Sequence, residues 1–212
     1  AHDKFWNSEY GQKQKTERNH IYFGTVLEHI LLQNLCAFYD VGDHNEMRLH
    51  GADWNDALDM AWEKGESVAF TCAYAGNLRA IAKTLRQLEE ISGISKIEIA
   101  LEMEDLLAGG VELYEDAARK QALLAGYAKK CEHNISGDTI VVRLDQLAAN
   151  LEGKADWMMK NIRANEWVKD GEDGWFNGYY DNHGRKVEGI MNDRVRMMLT
   201  GQVFAIMSGT AT

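Results

Sequence analysis

Three observations predict a mostly helical protein. Apolar residues recur at intervals of three and four along several segments, the spacing that places them on one face of an α-helix. Thr25 and Glu28, and again Ser95 and Glu98, have the three-residue spacing of a helix-capping box. The 212 residues include no proline, although average usage would give on the order of ten. Two explanations for the absence of proline stay open: the chain is a helix-rich segment of a larger protein, or its prolines were deliberately replaced.

The helices are predicted in order along the chain. Residues 1–24 are polar and lack a steady period, so they are expected to form an extended or loop segment. The rest of the chain, 25–212, is expected to be one helical domain. Its longest helix carries an apolar stripe and stops at Gly93. Helices are predicted at 25–39, 57–63, 66–92, 95–108, 115–133, 145–165 and 193–208.

Extended structure is predicted at only two places in the chain. Residues 139–144 form a short β-branched run after a Gly-Asp turn, and Asp145 is expected to cap the helix that follows. Residues 175–180 and 185–188, separated by Asp-Asn-His-Gly, are expected to pair as a small hairpin.

Composition excludes several classes of partner. A net charge of -10 and a pI near 5.2 argue against nucleic acid, because no basic cluster is present to neutralise phosphates. No apolar run approaches the roughly 18 residues of a membrane span, and no signal peptide is expected at residues 1–4. Cys36, Cys72 and Cys131 lie in apolar helical patterns, so buried free thiols are expected rather than disulfides or zinc ligands. The protein is therefore predicted to be cytoplasmic.

The chemistry is predicted to lie in the stretch Asp53-Trp54-Asn55-Asp56, which follows Gly51. An indole offers a flat apolar face for a pyranose ring, and Asp and Asn offer directional hydrogen bonds to hydroxyls. A carboxyl near such a wall serves as a general acid if burial or a second carboxylate raises its pKa. The alternative is structural: Asp53 is only an N-cap, Trp54 is core, and Asp56 is a first-turn acid.

A family resemblance favours the catalytic interpretation. Residues 51–56 followed by Gly65-Glu66-Ser67-Val68 resemble the signature of glycoside hydrolase family 94, the cellobiose and chitobiose phosphorylase group. Gly24-Thr25-Val26-Leu27-Glu28-His29, Gly174-Trp175-Phe176 and Leu199-Thr200-Gly201-Gln202-Val203-Phe204 occur in the order that the family shows. The resemblance covers nearly the whole chain and implies an α/α toroid of the (α/α)6-barrel type. Because about six substantial helices are predicted where a full toroid has twelve, the domain is expected to be partial, with the missing remainder or self-association covering its apolar faces.

The resemblance also implies roles for individual residues. Asp56 corresponds to the general acid that protonates the glycosidic oxygen of a β-linked disaccharide or oligosaccharide. Inorganic phosphate is then the co-substrate that attacks with inversion, and no other cofactor is expected. Trp54 would line the sugar subsite, with Asp53 and Asn55 orienting the turn or the hydroxyls.

Three further substrate-binding candidates have structural alternatives. Arg48 pairs either with Asp53 or substrate, or forms a surface salt bridge. Glu66 either reaches a sugar hydroxyl or serves the helix dipole. Gln202 is the weakest of the three, and Trp175, Phe176 and Tyr179 are either rim aromatics or loop packing.

The sequence also allows two functions other than phosphorolysis. The family's Arg and Asp for the non-reducing sugar, and its phosphate-binding His and Gly-rich loops, are not found in these 212 residues, so turnover by the isolated chain is in doubt. One alternative is an inverting hydrolase, which needs a second carboxylate about 6.5–9.5 Å from the acid. Another is a non-catalytic helical fragment. The histidines lack ligand spacing, and the acidic run 40–46 lacks EF-hand spacing, so no metal is assigned.

Overall fold

A computed structural model of the chain describes residues 13–51 and 56–211, excluding the side chains of 56–58. The part described contains six α-helices, α1 to α6 in chain order, and two 3-10 helices. The α-helices are Val26–Tyr39, Val68–Ser92, Val111–Glu115, Ala117–Lys130, Leu144–Asn165 and Leu199–Ser208. The 3-10 helices are Asp56–Ala61 and Leu101–Leu107.

Short strands occur between the helices along the chain, and those described form five small sheets. In chain order, β1 to β11 are Lys15–Thr16, Met47–Arg48, Glu66–Ser67, Lys96–Ala100, Asn134–Ile135, Thr139–Arg143, Trp167–Asp170, Asp173–Phe176, Tyr179–Tyr180, Gly189–Met191 and Arg194–Arg196. Strands β2, β3 and β9 form one antiparallel three-stranded sheet, and the other sheets each contain two strands.

The prediction of an all-α toroid is therefore wrong. The described residues are 52% helical and 19% strand, which makes this part of the chain a mixed α/β structure, and it shows no closed or half-closed ring of paired helices. The strands are only two to five residues long, so their periodicity is too brief to distinguish from that of helix termini and loops.

The core lies where α2 packs along α5. Leu78 and Leu85 of α2 are buried in the same cluster as Leu151 and Met158 of α5, and Phe38 of α1 joins them. Fully burying each such side chain contributes roughly 1.5–3 kcal/mol. Helix α6 packs against the other end of α2, where Gly76 allows close approach: a Cβ there would lie 3.1 Å from the Cα of Ser208.

The boundaries of α1 and α2 are confirmed where sequence signals were strong. The Thr25 hydroxyl accepts a hydrogen bond from the Glu28 N–H, as the capping box predicts. The Glu28 carboxylate, however, accepts from the Tyr22 hydroxyl and the Ala100 N–H, so it links the helix start to β4. Gly93 ends α2 in the left-handed conformation, φ 71°. Residue 66, predicted as the first of that helix, belongs to β3, and Ser67 caps α2.

The helix predicted at 95–108 is only partly present, because residues 101–107 form the second 3-10 helix and the residues before them form a strand. Residues 96–100 form β4, antiparallel to β6, with Ile97 opposite Val142 and Ile99 opposite Ile140. These β-branched pairs favour the sheet over the helix that the Ser95-x-x-Glu98 spacing suggested. The strand at 139–144 is confirmed as β6, and its pairing explains why the preceding segment is extended.

Three other boundaries differ from prediction. The helix predicted at 115–133 is present as the shorter α4, which Asp116 caps, and the short helix α3 just before it was not predicted. Asp145 lies inside α5 and pairs with Arg143 instead of capping the helix. The last helix begins only at Leu199, because the residues before it form the hairpin β10–β11.

The predicted hairpin of 175–180 with 185–188 is only partly present. Trp175 pairs backward with Val168 in β7–β8, whereas Tyr180 forms a single antiparallel bridge with Lys186 and pairs mainly with β3. Upstream, Lys15–Thr16 forms a strand parallel to β5 within the segment expected to be extended or a loop. Residues 1–12 lie outside the described part, and the domain boundary at 24/25 stays a prediction.

Candidate active site

The stretch predicted to carry the chemistry lies largely outside the described residues. Asp53, Trp54 and Asn55 fall between the two described ranges. The backbone of Asp56 opens the first 3-10 helix, but its side chain is not among those described. The roles assigned to these four residues therefore stay predictions, and the structure bears on them through the surroundings of the 3-10 helix.

Asn182 fastens the end of this 3-10 helix to the loop that follows β9. The Asn182 side-chain oxygen accepts hydrogen bonds from the N–H groups of Glu63 and Lys64, at 2.8 and 2.9 Å. The Asn182 N–H donates to the carbonyl of Met60 at 2.8 Å. Because Asn182 contacts the chain at Met60, Glu63 and Lys64, the end of the 3-10 helix and the loop form one unit.

A cavity of about 540 Å³, here called the hairpin cavity, lies against this unit. Its lining comes from the 3-10 helix, from the loop after β9 and from the hairpin β10–β11. The charged lining residues are Asp59, Asp181, Arg185, Lys186 and Arg196. Its volume lies within the range of small-molecule sites, roughly 300–1,000 Å³.

The charges of the hairpin cavity are partly matched within the protein. Arg185 pairs with Asp181 at 2.8 Å, and Lys186 approaches the buried Glu166 at 3.3 Å. Burial acts to raise the pKa of Asp181, but donors from Arg185 and His183 outweigh it, and the pKa is lowered. Among the described residues, Arg196 has no carboxylate within ion-pair distance. Within the described part of the chain, the Arg196 guanidinium contacts the Met191 sulfur at 3.9 Å and keeps further N–H donors for a ligand oxygen.

Arg48 lies on β2 and is paired with a protein carboxylate. Its side chain binds Asp40 through both Nε, at 2.7 Å, and a terminal nitrogen, at 2.6 Å. His50 binds the second oxygen of Asp40 at 2.6 Å. Arg48 and His50 thus converge on Asp40, and the two contacts fasten residues 48 and 50 to the end of α1.

Glu66 is buried on β3, directly opposite Arg48 in the sheet register. Its carboxylate accepts from the N–H groups of His44 and Glu46 and lies 2.7 Å from Nδ1 of His44. It fastens the turn 42–46 to the sheet, and the His44 ring stacks on Tyr180 with centroids 3.7 Å apart. These contacts describe a structural function for Glu66; they leave its predicted contact with a sugar untested.

Gln202 lies apart from the other candidates, on α6. Its side chain accepts from the Phe176 N–H at 3.0 Å and donates to the Phe176 carbonyl at 2.7 Å, so it fastens α6 to β8. Trp175, Phe176 and Tyr179 are buried, which supports the packing alternative for these aromatics. Neither Arg48 nor Glu66 nor Gln202 lines the hairpin cavity.

A group of buried acids beneath the sheet escaped sequence reasoning. Glu46 and Glu166 are almost fully buried near Glu66. Glu166 accepts from Tyr180 and Asn177, at 2.7 and 3.0 Å. Burial first, and the charge of Glu166 second, raise the pKa of Glu46, so this carboxyl favours its protonated form. Charged residues in polar sequence surroundings carry no periodic signal of burial, and they converge only through the fold.

Other features of the described residues bear on the site. They include no group of three His, Cys, Asp or Glu side chains arranged to hold a metal ion. A separate cavity of about 300 Å³ at the start of α1 is lined by Tyr22, Glu28, Glu102 and Tyr127, among others, and touches no predicted site residue. The cysteines are free, with Cys72 buried and the other two half-buried. No described helix has both the length and the apolar character needed to cross a bilayer.

Comparison with known proteins identifies a distant relative. The chain is 25% identical to solabiose phosphorylase of Paenibacillus borealis over 190 residues. The chain is a distant relative of a phosphorylase. The match covers 89% of this chain but only 17% of that enzyme, so the chain spans a small part of its relative. No family model matches the sequence.

Proposed function

We propose that the chain forms part of the active site of a carbohydrate phosphorylase, with the substrate beside the first 3-10 helix. The observation that carries the proposal is the similarity to solabiose phosphorylase, which extends over 190 residues and 89% of this chain. The cavity supports it by placing a ligand-sized space against the helix that begins at Asp56.

The geometry of a 3-10 helix supports a role for Asp56. Residues three apart in such a helix share a face, so position 56 falls on the face that carries Asp59, which lines the cavity. Asp56 is therefore proposed to be the general acid, held in place by the Asn182 contacts at the other end of the helix.

In the proposed reaction Asp56 donates its proton to the glycosidic oxygen while the bond from that oxygen to the anomeric carbon breaks. A phosphate oxygen attacks the same carbon from the opposite face, forming a sugar 1-phosphate with inverted configuration and releasing the second sugar. The attacking phosphate is already anionic, so it needs positioning more than deprotonation. Trp54 is proposed to stack on the sugar, with Asp53, Asn55, Arg48, Glu66 and Gln202 binding substrate or orienting the groups that do.

The proposal is tested with a panel of β-linked disaccharides, with and without inorganic phosphate. Any turnover by the wild-type chain is expected to release sugar 1-phosphate only when phosphate is present, and Asp56→Asn is expected to lower that rate by about 100-fold or more. Asp43→Asn is the matched control. Asp43 is an exposed aspartate in the turn that precedes β2 in the sequence. Equal cleavage without phosphate would instead support a hydrolase.

Calorimetry tests binding independently of turnover. The wild type is expected to bind a disaccharide of the panel, with weaker binding by Trp54→Ala and unchanged binding by the Asp43→Asn control. An absence of both turnover and binding heat for every sugar would contradict the proposal and favour a non-catalytic helical fragment.

A further inference from the structure

The cavity at the start of α1, here called the α1 cavity, is separate from the hairpin cavity. It encloses about 300 Å³, the lower end of the range of small-molecule sites, roughly 300–1,000 Å³. Its described lining comes from α1 and the residues before it, from the second 3-10 helix, and from α4 and β5. Much of the wall is apolar or aromatic: Tyr22, Leu32, Ala100, Met103, Tyr127 and Ile135.

Glu28 brings a carboxylate with one unpartnered oxygen to this cavity. The residue is only 8% exposed. Its Oε2 accepts hydrogen bonds from the Tyr22 hydroxyl at 2.8 Å and from the Ala100 N–H at 3.0 Å. Its Oε1 has no hydrogen-bond partner among the described residues and lies beside Gly24, which also lines the cavity; a Cβ at Gly24 would clash with this oxygen. The carboxylate is thus fixed through one oxygen, and the other can accept from a ligand.

Glu102 supplies a second acceptor without a donor. Its Oε1 accepts from the Ser136 N–H at 2.7 Å, whereas its Oε2 is buried and has no hydrogen-bond partner in the described part of the chain. Both acids act on Tyr22: burial first, then the hydrogen bond and charge of Glu28 and the charge of Glu102, raise the pKa of this phenol. A buried acceptor without a donor is destabilising, so a ligand that donates to it is favoured.

The two carboxylates have no matching cation in the protein. Among the described residues that line the α1 cavity there is no lysine or arginine, and His29, which is exposed, is the one that protonation would make cationic. An ammonium group meets both requirements of such a wall. It carries three hydrogen-bond donors for the carboxylate oxygens, and it is attracted to the faces of tyrosine rings. A carboxylate or phosphate ligand would instead meet two like charges.

We propose that the α1 cavity binds a small organic cation, a primary ammonium on an apolar body, with the ammonium donating to Oε1 of Glu28 and Oε2 of Glu102. The body of the ligand lies against Leu32, Met103 and Ile135. Since so much of the wall is apolar, one charged end is favoured over two. The described lining shares no residue with the hairpin cavity, so this site is independent of the proposed phosphorylase chemistry.

Calorimetry at pH 7 with three probes of similar shape tests the proposal: phenethylamine, which is cationic, phenethyl alcohol, which is neutral, and hydrocinnamate, which is anionic. The amine is expected to bind the wild-type chain with a Kd on the order of 1 mM or below, and the other two at least about tenfold more weakly. Glu102→Gln keeps an oxygen for the Ser136 N–H and removes the charge, so it is expected to weaken amine binding by at least about tenfold.

Two further variants locate the bound amine. Glu104→Gln is the matched control: Glu104 is an exposed acid of the same 3-10 helix, and it does not line the α1 cavity. Because the chain carries a net charge of -10, this control also measures any general attraction of a cation, and it is expected to bind as the wild type does. Leu32→Trp is expected to fill the cavity and abolish binding, and circular dichroism verifies the fold of each variant.

Several results would overturn the proposal. Absence of heat from phenethylamine up to about 20 mM would show that the cavity takes no ammonium ligand. Equal affinity for the alcohol or the acid would show an apolar slot in which the carboxylates have no role. Wild-type affinity in Glu102→Gln or Leu32→Trp, or equal weakening in Glu104→Gln, would place the amine elsewhere on the acidic surface.

Discussion

Replacing Lys154 with Met is predicted to stabilise the protein at neutral pH. Lys154 lies on α5 with no exposed surface, and its ammonium donates to the Ala108 carbonyl and the Asn150 side chain, at 2.8 and 2.7 Å. The nitrogen also lies 5.4 Å from the ring centroids of Phe38 and Tyr114. Burial first, and the charge of Lys120 second, lower the pKa of Lys154 from 10.5 to about 7.

The expected magnitude follows from that pKa. In the unfolded chain the lysine keeps its proton up to about pH 10.4, whereas in the folded protein it loses the proton near pH 7. The unfolded state therefore binds more protons between these values, so stability rises with pH across this window. Below pH 7 both states are protonated, and the full cost of burying the charge, about 5 kcal/mol, is present.

Methionine removes this cost but also removes two hydrogen bonds, worth about 1 kcal/mol each. Lys154→Met is thus expected to raise the free energy of unfolding by about 3 kcal/mol at pH 6 to 7. The advantage should shrink by about 1.4 kcal/mol per pH unit above that and change sign near pH 9. Cysteines and tyrosines also titrate at high pH, but they are common to both proteins and cancel in the difference.

Urea unfolding followed by circular dichroism at pH 6, 7, 8 and 9 measures the difference between variant and wild type. Lys83→Met, at an exposed position of α2, is the control and should give a small difference at every pH. A Lys154→Met difference that is constant from pH 7 to 9 would refute the reasoning, because it would show that the buried amine keeps its proton in the folded protein.

Three smaller perturbations test the framework of the candidate site and the core. Asn182→Ala should cost about 1–2 kcal/mol and speed amide exchange at Glu63 and Lys64, measured by hydrogen exchange, whereas unchanged exchange would mean that the loop does not hold the 3-10 helix. Ser67→Ala should cost about 1 kcal/mol in urea unfolding by removing the cap of α2, with Thr at this position as the rescuing variant. Leu35→Ala should cost about 2–5 kcal/mol by the same measurement, because its side chain is fully buried in the core.

The elements that sequence predicted well are those in which local and tertiary signals agree. Helix α1 has its cap at Thr25, and α2 ends at Gly93, so their boundaries follow from backbone chemistry close in the chain. Helix α5 repeats its buried apolar residues over 22 residues, which is long enough for the helical period to be unambiguous.

The elements that sequence missed depend on partners distant in the chain. Strand β4 is extended because residues 139–143 pair with it some forty positions away, and nothing in 96–100 alone reports that pairing. The same limit explains why an all-α architecture was predicted: strands of two to five residues have too little pattern of their own, and they exist because neighbouring elements complete their hydrogen bonds.

Buried charged residues are also difficult to predict from the sequence, but one of them could have been predicted. Lys154 occupies the α5 stripe of Leu147, Leu151 and Met158, where the helical period calls for an apolar residue. A lysine at such a position indicates either a register error or a buried amine with protein acceptors. The positions of Glu46 and Glu166 carry no comparable sign, since neither lies on a periodic stripe.

The candidate site combines a stretch that the sequence makes conspicuous with residues that only the fold brings close to it. The Asp-Trp-Asn-Asp stretch is conspicuous in the sequence, but the groups that surround the helix after it come from residues 181–196, more than a hundred positions later. Asn182 provides the link, because its three hydrogen bonds make the position of the 3-10 helix depend on the same loop that carries Asp181, Arg185 and Lys186 into the hairpin cavity. A ligand that orders this loop must therefore also order the helix that begins at Asp56, so substrate binding and placement of the proposed acid are expected to be coupled.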